Sequence, residues 1–358
     1  MDIRTLGIDL AKNVFRVHGV DKHGKTIVQR QLRRRQLLPF MAQLPTCLVG
    51  MEACGGAHYW AREIAALGHD VKLMSPRFVR AYVKSGKNDA RDAEAICEAV
   101  ARPSMRFVAV KSRAQQDMLA LHRIRSLLIG ERTALMNQMR GLLAECGIVV
   151  ALGAAQLRRA LAEIQGDRDA RVSELLREAL VEMGTRLGSF EQQLERYDQQ
   201  IAQLARNDAR AGRLMTVPGV GPVIATALLA TVGDARQFKS GRELSAWLGL
   251  VPRQHSSGER TILLGISKRG DRYLRTLLIH SARSALRHAR RKRDRRSLWV
   301  GALRERRGPN IAAVALPTRT HARCGLYLHA LKSTACPPPP DRRGGEKTCQ
   351  RLRRLSAR

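Results

Sequence analysis

Short apolar runs alternate with polar turns over the first part of the chain. Residues 5–11 form an apolar run, and residues 14–20 alternate apolar and polar side chains with a period of two. The polar segment 21–25 is typical of a turn, and residues 26–32 resume the strand pattern. The pattern predicts three strands that pair as an antiparallel meander.

Beyond residue 32 the hydrophobic period switches between that of helices and that of strands. Helices are predicted over residues 33–44, 57–67 and 89–101, and strands over residues 46–53 and 70–74. A meander followed by alternating strands and helices is typical of an α/β domain with a mixed sheet. We assign this domain to residues 1–110.

Residues 114–206 consist almost entirely of helix formers, with leucine at helical intervals. Two long helices with polar outer faces are predicted there. Such helices usually pair with each other or with a second subunit. We therefore predict a helical hairpin or coiled-coil arm over residues 111–210, and a homo-oligomer, either a dimer or a tetramer.

A second compact and mostly helical domain is predicted over residues 211–316. A glycine-rich turn at 216–222 precedes an apolar helix at 223–232, and a further apolar segment spans 244–250. Residues 252–270 are polar and are predicted to form a loop before a helix at 271–288.

The charge balance indicates the kind of partner. The sequence has 64 Lys and Arg against 31 Asp and Glu, a formal net charge of +33. A protein this basic binds polyanions, and nucleic acid is the leading candidate because phosphate neutralisation releases counterions. Charge alone leaves open a nucleic-acid binder without catalytic activity.

Simple patterns argue against membrane and zinc-thiolate functions. No apolar run approaches the roughly 20 residues that span a bilayer, and the N-terminus has no signal-peptide pattern. The seven cysteines are scattered without a CxxC pair, so no zinc site is expected. Their odd number favours a reducing cytoplasm.

Four acidic residues are candidates for a metal site. Asp9 lies within an apolar strand and Glu52 ends another, where an unpartnered carboxylate is costly. Asp89 and Asp92 share one face at a helix start, where they could equally cap the helix or interact with its dipole. Clustered carboxylates suit Mg²⁺ or Mn²⁺, and such ions promote phosphodiester chemistry, provided that the sheet order brings the acids together.

The segments around these acids resemble a known family. Gly7-Ile8-Asp9-Leu10-Ala11-Lys12, Met51-Glu52-Ala53-Cys54-Gly55 and Lys87-Asn88-Asp89-Ala90-Arg91-Asp92-Ala93 are similar to the DEDD motif of an insertion-sequence transposase family related to Piv-type DNA invertases. The resemblance implies a RuvC-like, RNase H-like N-terminal domain in which Asp9, Glu52, Asp89 and Asp92 bind divalent metal. It also implies a cytoplasmic, nucleoid-associated bacterial protein.

The C-terminal half resembles the second domain of the same family. The segments that carry this similarity are residues 217–222, 248–252, 257–258 and 265–270. In that family a serine in a Ser-Gly context attacks DNA, and the resemblance assigns this role to Ser257, although the adjacent Ser256 leaves the register open. His255 could serve as a base or phosphate ligand, or be an ordinary loop histidine.

Several residues near this serine are predicted to contact nucleic acid. The turn containing Gly219 and Gly221 could hold a phosphate at the start of the following helix, or be a simple connector. Lys268, Arg269, Arg272 and Arg275 are predicted to contact backbone phosphates. The family resemblance also implies a structured guide RNA that pairs with donor and target DNA, as in other RNA-guided systems.

The family pattern ends at Leu316. Members continue with Ala-Asn-Lys-Asn, whereas this chain continues Pro317-Thr318-Arg319-Thr320. Because the codons GCC AAC AAG AAC encode Pro-Thr-Arg-Thr when shifted by one nucleotide, we hypothesise a frameshift near Leu316 that would impair activity. Residues 317–358 lack apolar periodicity and are predicted to be disordered.

The sequence therefore predicts a DNA transposase that cleaves and rejoins strands with divalent metal and a serine nucleophile. Ser257 must then reach the metal site, within one subunit or across a dimer. Two alternatives stay open at this point. A RuvC-like junction nuclease would use metal-activated water and need no serine, and a non-catalytic binder would need neither.

Overall fold

The computed structural model describes residues 2–83, 89–166, 170–258, 260–289 and 291–319, and the side chains of Asp89 and Ala90 lie outside that description. The chain divides into two compact units. The first unit comprises Met1–Gln116 with Val232–Asp234, and the second comprises Asp117–Thr231 with the chain from Ala235 onward. The finer four-part division of the sequence stays a prediction.

A six-stranded mixed sheet forms the centre of the first unit. Its strands are β1 (Thr5–Leu10), β2 (Val14–Val20), β3 (Thr26–Arg33), β4 (Leu48–Glu52), β5 (Asp70–Met74) and β6 (Phe107–Val108), in the order β3-β2-β1-β4-β5-β6. The first three strands pair antiparallel, which confirms the predicted meander. Strands β1, β4 and β5 run parallel to one another, and β6 closes the edge antiparallel to β5. The predicted mixed α/β architecture is confirmed at this level.

Helices cover both faces of this sheet. They are α1 (Leu37–Ala42), α2 (Ala57–Ala66), α3 (Pro76–Val79) and α4 (Asp89–Val100). One face packs Leu6, Ile8 and Met51 against α1 and α2 in a core that includes Phe15 and Trp60. Helix α4 lies on the opposite face, against β1, β2 and β4. This second layer positions the acidic residues described below.

The second unit is mostly helical. Its helices are α5 (Arg113–Glu145, which begins in the first unit), α6 (Ala154–Gly166), α7 (Glu174–Asn207), α8 (Ala209–Met215), α9 (Pro222–Val232), α10 (Gly241–Trp247), α11 (Arg272–Ala289), α12 (Arg295–Arg307) and α13 (Pro309–Leu316). The two predicted long helices are α5 and α7, and they pack together at Leu128, Phe190 and Leu194. Helix α6 lies between them in sequence, and its Leu157 and Leu161 pack in a separate core cluster with Met139 of α5 and Leu180 of α7.

A β-hairpin occupies the segment that was predicted to be a loop. Strands β7 (Pro252–Ser257) and β8 (Arg260–Ile266) pair antiparallel as a two-stranded sheet. All residues of β7 are exposed, and so are those of β8 up to Gly265. The loop prediction was wrong at 252–257 and 260–266 and is confirmed at 267–270. Neither face of this ribbon is buried, so the sequence lacks the alternation that marks a half-buried strand.

The structure describes only residues 317–319 of the predicted C-terminal tail. Residues 317–319 continue the helical path of α13, and the predicted disorder of the tail stays a prediction. The remainder of the predicted tail, residues 320–358, lies outside the described residues. Across the part of the chain that is described, none of the helices combines the length and the apolar character needed to cross a membrane.

Candidate functional site

Asp9 and Glu52 lie side by side on one face of the central sheet. Strands β1 and β4 are parallel neighbours in which Gly7 pairs with Gly50 and Ile8 with Met51. Asp9 and Glu52 follow at the next positions of the two strands. Because side chains alternate along a strand, both carboxylates share a face with the two glycines, away from the Ile8 and Met51 core.

The paired glycines allow α4 to approach this face closely. A Cβ atom on Gly7 would overlap the Ala93 carbonyl and lie 2.5 Å from the Cys97 backbone nitrogen. On Gly50 it would lie 2.7 Å from the Val100 Cβ. The absence of side chains at these two neighbouring positions therefore allows α4 to pack directly against the sheet.

The first turns of α4 bring a third carboxylate to the pair. Asp92 precedes Ala93, the residue whose carbonyl lies over Gly7. The pKa of Glu52 is raised above its ordinary value by burial and then by the negative charges of Asp9 and Asp92. Three predicted residues are thus brought together. The backbone of Asp89 lies one turn before Asp92 in α4, while its side chain is outside the described residues.

This set of oxygen donors fits a divalent cation. Asp9, Glu52 and Asp92 are all partly buried, and their mutual repulsion is the kind that a bound cation relieves. Among the described side chains, no three such groups are close enough to make a complete metal site by themselves. The donor chemistry matches Mg²⁺ or Mn²⁺ better than Zn²⁺, since all the converging ligands are carboxylates.

Replacing Gly7 by Ala is expected to destabilise the protein by about 3 kcal/mol, because the new methyl group meets backbone atoms of α4 that cannot rotate away. Urea denaturation measures this change. Gly141→Ala is the matched control, since Gly141 is an exposed helical residue with open space around it, and is expected to stabilise by roughly 0.5–1 kcal/mol. Equal effects of the two substitutions would contradict the close approach of α4.

The raised pKa of Glu52 predicts a specific pH dependence of stability. The folded metal-free chain holds the Glu52 proton more tightly than the unfolded chain, whose pKa is near 4.5. The resulting stabilisation is present below that pH and is lost as the pH rises through the raised pKa. The unfolding free energy of the wild type relative to Glu52→Gln should therefore fall as the pH rises above 4.5 in a chelating buffer.

Urea denaturation of both proteins over a pH series checks this expectation. Added Mg²⁺ should restore more stability to the wild type than to Glu52→Gln, because an anionic carboxylate binds the cation more tightly than a neutral amide does. Parallel pH profiles for the two proteins would contradict the raised pKa of Glu52.

Ser257 lies at the exposed end of the β7–β8 hairpin in the second unit. It pairs with Arg260, while Ser256 pairs with Thr261. Adjacent strand residues point to opposite faces, so the two serines differ in surroundings. The Ser256 hydroxyl accepts a 2.9 Å hydrogen bond from the Gln254 side chain. His255 shares the face of Ser257, two residues away, and is exposed.

The base of the hairpin is fixed by contacts between two segments. The Ser267 N–H donates to the Val251 carbonyl at 2.8 Å, and the Lys268 N–H donates to the Gly249 carbonyl at 3.1 Å. Gly249 has a φ of +71°, and a Cβ there would lie 2.6 Å from the Arg269 nitrogen. Close backbone packing thus explains why glycine stands at this crossing.

Arg275 has a structural role in this crossing, contrary to the predicted phosphate contact. Its side chain is buried, and its guanidinium donates to the carbonyls of Leu248 at 3.2 Å and Gly270 at 3.0 Å. A group that is withdrawn from solvent and bonded to the backbone is not available to a phosphate. By contrast, Lys268, Arg269 and Arg272 are exposed.

The glycine-rich turn before α9 packs against α11. Gly219 has a φ of +90°, and its carbonyl accepts a hydrogen bond from the Ser281 hydroxyl. Gly221 has open space around its Cα, directly before the first residue of α9, Pro222. The turn is therefore anchored on one side and open at Gly221.

Sequence reasoning missed a buried histidine that links three helices of the second unit. The two ring nitrogens of His122 in α5 lie 3.0 Å from the Tyr273 hydroxyl in α11 and 2.9 Å from the Thr226 hydroxyl in α9. Burial, assisted by the nearby Arg125, lowers the pKa of His122 to about 4. The imidazole is thus neutral at physiological pH. A histidine within a long leucine-rich helix was the only sequence signal for this contact.

Comparisons with known proteins place both units in one family. A DEDD transposase model of IS110 elements, described as "Transposase", matches residues 6–148, and the model described as "Transposase IS116/IS110/IS902 family" matches residues 211–297. A "Probable family 20 transposase" of Pseudomonas aeruginosa is 51% identical over 320 residues, which is 89% of this chain and 95% of the relative. The chain belongs to the IS110/IS116 family of transposases.

Two insertion-sequence proteins are similar over comparable lengths. The transposase for insertion sequence element IS1111A of Coxiella burnetii is 46% identical over 89% of this chain and 87% of its own length. The transposase for insertion sequence element IS1328 of Yersinia enterocolitica is 42% identical over 89% of this chain and 94% of its own length. The DEDD transposase match at residues 6–148 includes all four predicted metal ligands, and the IS116/IS110/IS902 match at residues 211–297 includes the hairpin with Ser257.

Membership in this family confirms the coarse functional prediction of an insertion-sequence transposase, which acts on DNA. It also indicates a dependence on divalent metal through the DEDD domain. The comparisons give no support to an impairment of activity by a frameshift.

Proposed function

We propose that this IS110/IS116 transposase cleaves and rejoins DNA strands at the ends of its element, using carboxylate-bound metal and the hydroxyl of Ser257 as nucleophile. The placement of Asp9 and Glu52 on the sheet face beneath α4, with Asp92 of α4 near enough to raise the pKa of Glu52, is the observation that carries the proposal. Partly buried carboxylates that repel one another are typical of functional sites, where a bound cation offsets the repulsion.

Asp9, Glu52, Asp89 and Asp92 would hold the cation in this proposal. A bound Mg²⁺ or Mn²⁺ ion would supply Lewis-acid stabilisation of the phosphate charge. The carboxylates themselves fix where that charge is compensated, because they are attached to two paired strands and to the helix that rests on them. We also propose that the mixed sheet is an RNase H-like domain of the RuvC type.

Ser257, and not Ser256, is the proposed nucleophile. The Ser256 hydroxyl is engaged by Gln254, whereas Ser257 lies beside the hairpin turn next to Gly258. In the reaction, the Ser257 oxygen forms a bond to phosphorus and the bond to a sugar oxygen breaks. The hydroxyl proton passes to solvent, and the leaving oxygen takes up a proton. The energy of the phosphodiester is retained in the serine–DNA linkage, so that strands can be rejoined.

The proposed nucleic-acid contacts come from exposed cations at the base of the hairpin and from the turn before α9. Lys268, Arg269 and Arg272 are exposed at its base and can contact backbone phosphates. The open turn at Gly221 can add backbone N–H groups at the start of α9. Because the protein has a formal net charge of +33, it would bind DNA largely through the phosphate backbone.

We further propose that a structured guide RNA selects the sequence, that the transposase acts as a dimer or tetramer, and that it is related to Piv-type invertases. A guide RNA would leave base recognition to pairing, consistent with a protein whose contacts are mainly electrostatic. The frameshift near Leu316 stays a hypothesis, which sequencing of the gene checks directly.

Incubation of the full chain with element-end DNA, the flanking RNA and Mg²⁺ tests the proposed function. We expect a protein–DNA adduct that survives denaturing electrophoresis, and no adduct in the presence of a chelator. DNA cleavage without any adduct would instead support the metal-dependent nuclease, and binding without cleavage would support the non-catalytic binder.

A further inference from the structure

The register of the β7–β8 hairpin places a cationic residue beside Ser257. Arg260 is the cross-strand partner of Ser257, at the pair that closes the hairpin turn. Directly opposed residues in an antiparallel pair point to the same face, with Cβ atoms about 5 Å apart. The guanidinium of Arg260 can therefore reach a group that is bonded to the Ser257 oxygen.

The side chain of Arg260 is open to a ligand. It is exposed, and no described residue forms a hydrogen bond or an ion pair with its guanidinium. Arg275 and Arg125 differ in this respect, since the first donates to backbone carbonyls and the second to the Asp198 carboxylate. Because the ribbon is exposed on both faces, the side chain of Arg260 has no packing role that would stabilise the fold.

The two faces of the hairpin differ chemically. The face of Ser257 carries His255, Ile262 and Arg260, whereas the opposite face carries Gln254, Ser256, Thr261 and Leu263. The register-paired positions of the opposite face hold no charged side chain. A phosphate that approaches the Ser257 hydroxyl thus meets the guanidinium, and one that approaches Ser256 does not.

We propose that Arg260 binds the non-bridging oxygens of the phosphodiester that Ser257 attacks. This inference rests on the proposed function. When the Ser257 oxygen adds to phosphorus and its proton leaves, the phosphoryl group gains one negative charge before the sugar oxygen departs with its bond electrons. The planar guanidinium donates to two phosphate oxygens at once and stabilises the charge as it develops.

Arg260→Ala is expected to lower the rate of adduct formation by about a hundredfold, the usual cost of removing one donor to a developing oxyanion. Affinity for the same DNA, measured by fluorescence anisotropy, should change by no more than about threefold, because many other cations bind the backbone. Arg260→Lys should recover part of the rate, since it keeps the charge and loses the two-point contact.

Two control variants separate position from charge. Arg242→Ala removes an exposed arginine from α10 and should leave the adduct rate unchanged. The double variant R260T/T261R keeps composition and net charge but moves the guanidinium to the opposite face of β8. It should be as slow as Arg260→Ala. Restoration of the wild-type rate by this exchange would overturn the proposal.

A substrate with a methylphosphonate at the cleaved position provides the most specific readout. The methyl group removes the charge that Arg260 is proposed to bind, so the wild type should lose most of its advantage over Arg260→Ala. The ratio of the two rates should fall from about a hundred to near one, as expected when two changes remove the same interaction. A ratio that stays near a hundred would refute the contact.

The same assay distinguishes a failure of this inference from a failure of the proposed function. If the wild type forms no adduct, or if Ser257→Ala still forms one, the proposed nucleophile is wrong. If the adduct depends on Ser257 and Arg260→Ala either reacts normally or loses only DNA affinity, the nucleophile stands and the role of Arg260 is wrong.

Discussion

Replacing Asp9 by Asn is expected to lower DNA strand cleavage by about a thousandfold. The amide has the same shape as the carboxylate but no charge, so it removes a hard anionic ligand from the proposed metal site without creating a cavity. Loss of one preorganised donor commonly costs 10²- to 10³-fold, and a metal ligand stands at the upper end of that range (about a thousandfold).

The DNA affinity of Asp9→Asn should not fall, because many other side chains bind the DNA backbone. Asp9 raises the pKa of Glu52, which shows that the two charges repel in the folded protein. The substitution removes this repulsion from the metal-free protein. Asp2→Asn is the matched control, since Asp2 is exposed at the N-terminus, and should keep full activity. An active Asp9→Asn protein would contradict the metal site.

Ser257→Ala is expected to abolish the covalent protein–DNA adduct, with at least about a thousandfold loss of rejoined product, because no other group can take the place of a covalent nucleophile. Denaturing electrophoresis with labelled DNA measures the adduct. Both serines of the pair are exposed on a ribbon without a core, so neither substitution should affect folding.

Ser256→Ala is the matched control for this prediction. It removes a hydroxyl one residue away, on the opposite face, that accepts a hydrogen bond from Gln254. This variant should retain the adduct at close to the wild-type rate. If Ser256→Ala loses the adduct and Ser257→Ala keeps it, the register of the nucleophile is shifted by one residue. Continued cleavage by Ser257→Ala, without an adduct, would favour the junction nuclease.

The central sheet was predictable because its strands obey local rules. The meander and the strand at 70–74 follow from periodicity and turn residues, and the structure has them at the expected places. In strands of this kind the apolar or alternating pattern of side chains extends over the whole strand. The presence of α4 was predictable for the same reason, since its buried face repeats with helical spacing.

The assembly of the acidic residues was not predictable from spacing. The adjacency of Asp9 and Glu52 depends on the parallel pairing of β1 with β4, and the approach of Asp92 depends on two glycines that pair across those strands. Glycine in a strand is compatible with a bulge, a weak edge or a close contact, so its meaning appears only once the packing is known.

The hairpin, in contrast to the central sheet, could not be predicted from the sequence pattern. Its residues are exposed on both faces, so hydrophobic periodicity carries no information, and the pairing of Ser257 with Arg260 emerges from the register alone. The burial of Arg275 was equally hidden, because its partners are backbone carbonyls of Leu248 and Gly270 that any sequence could supply.

Mapping of the DNA-linked peptide tests the central claim most directly. Trypsin cuts after Arg253 and Arg260 and releases residues 254–260, which contain both serines of the hairpin. After reaction with element-end DNA in Mg²⁺ and nuclease trimming, mass spectrometry should find this peptide carrying a nucleotide, with fragmentation placing it on Ser257. A nucleotide on any other residue, or efficient strand cleavage with this peptide unmodified, would contradict the account.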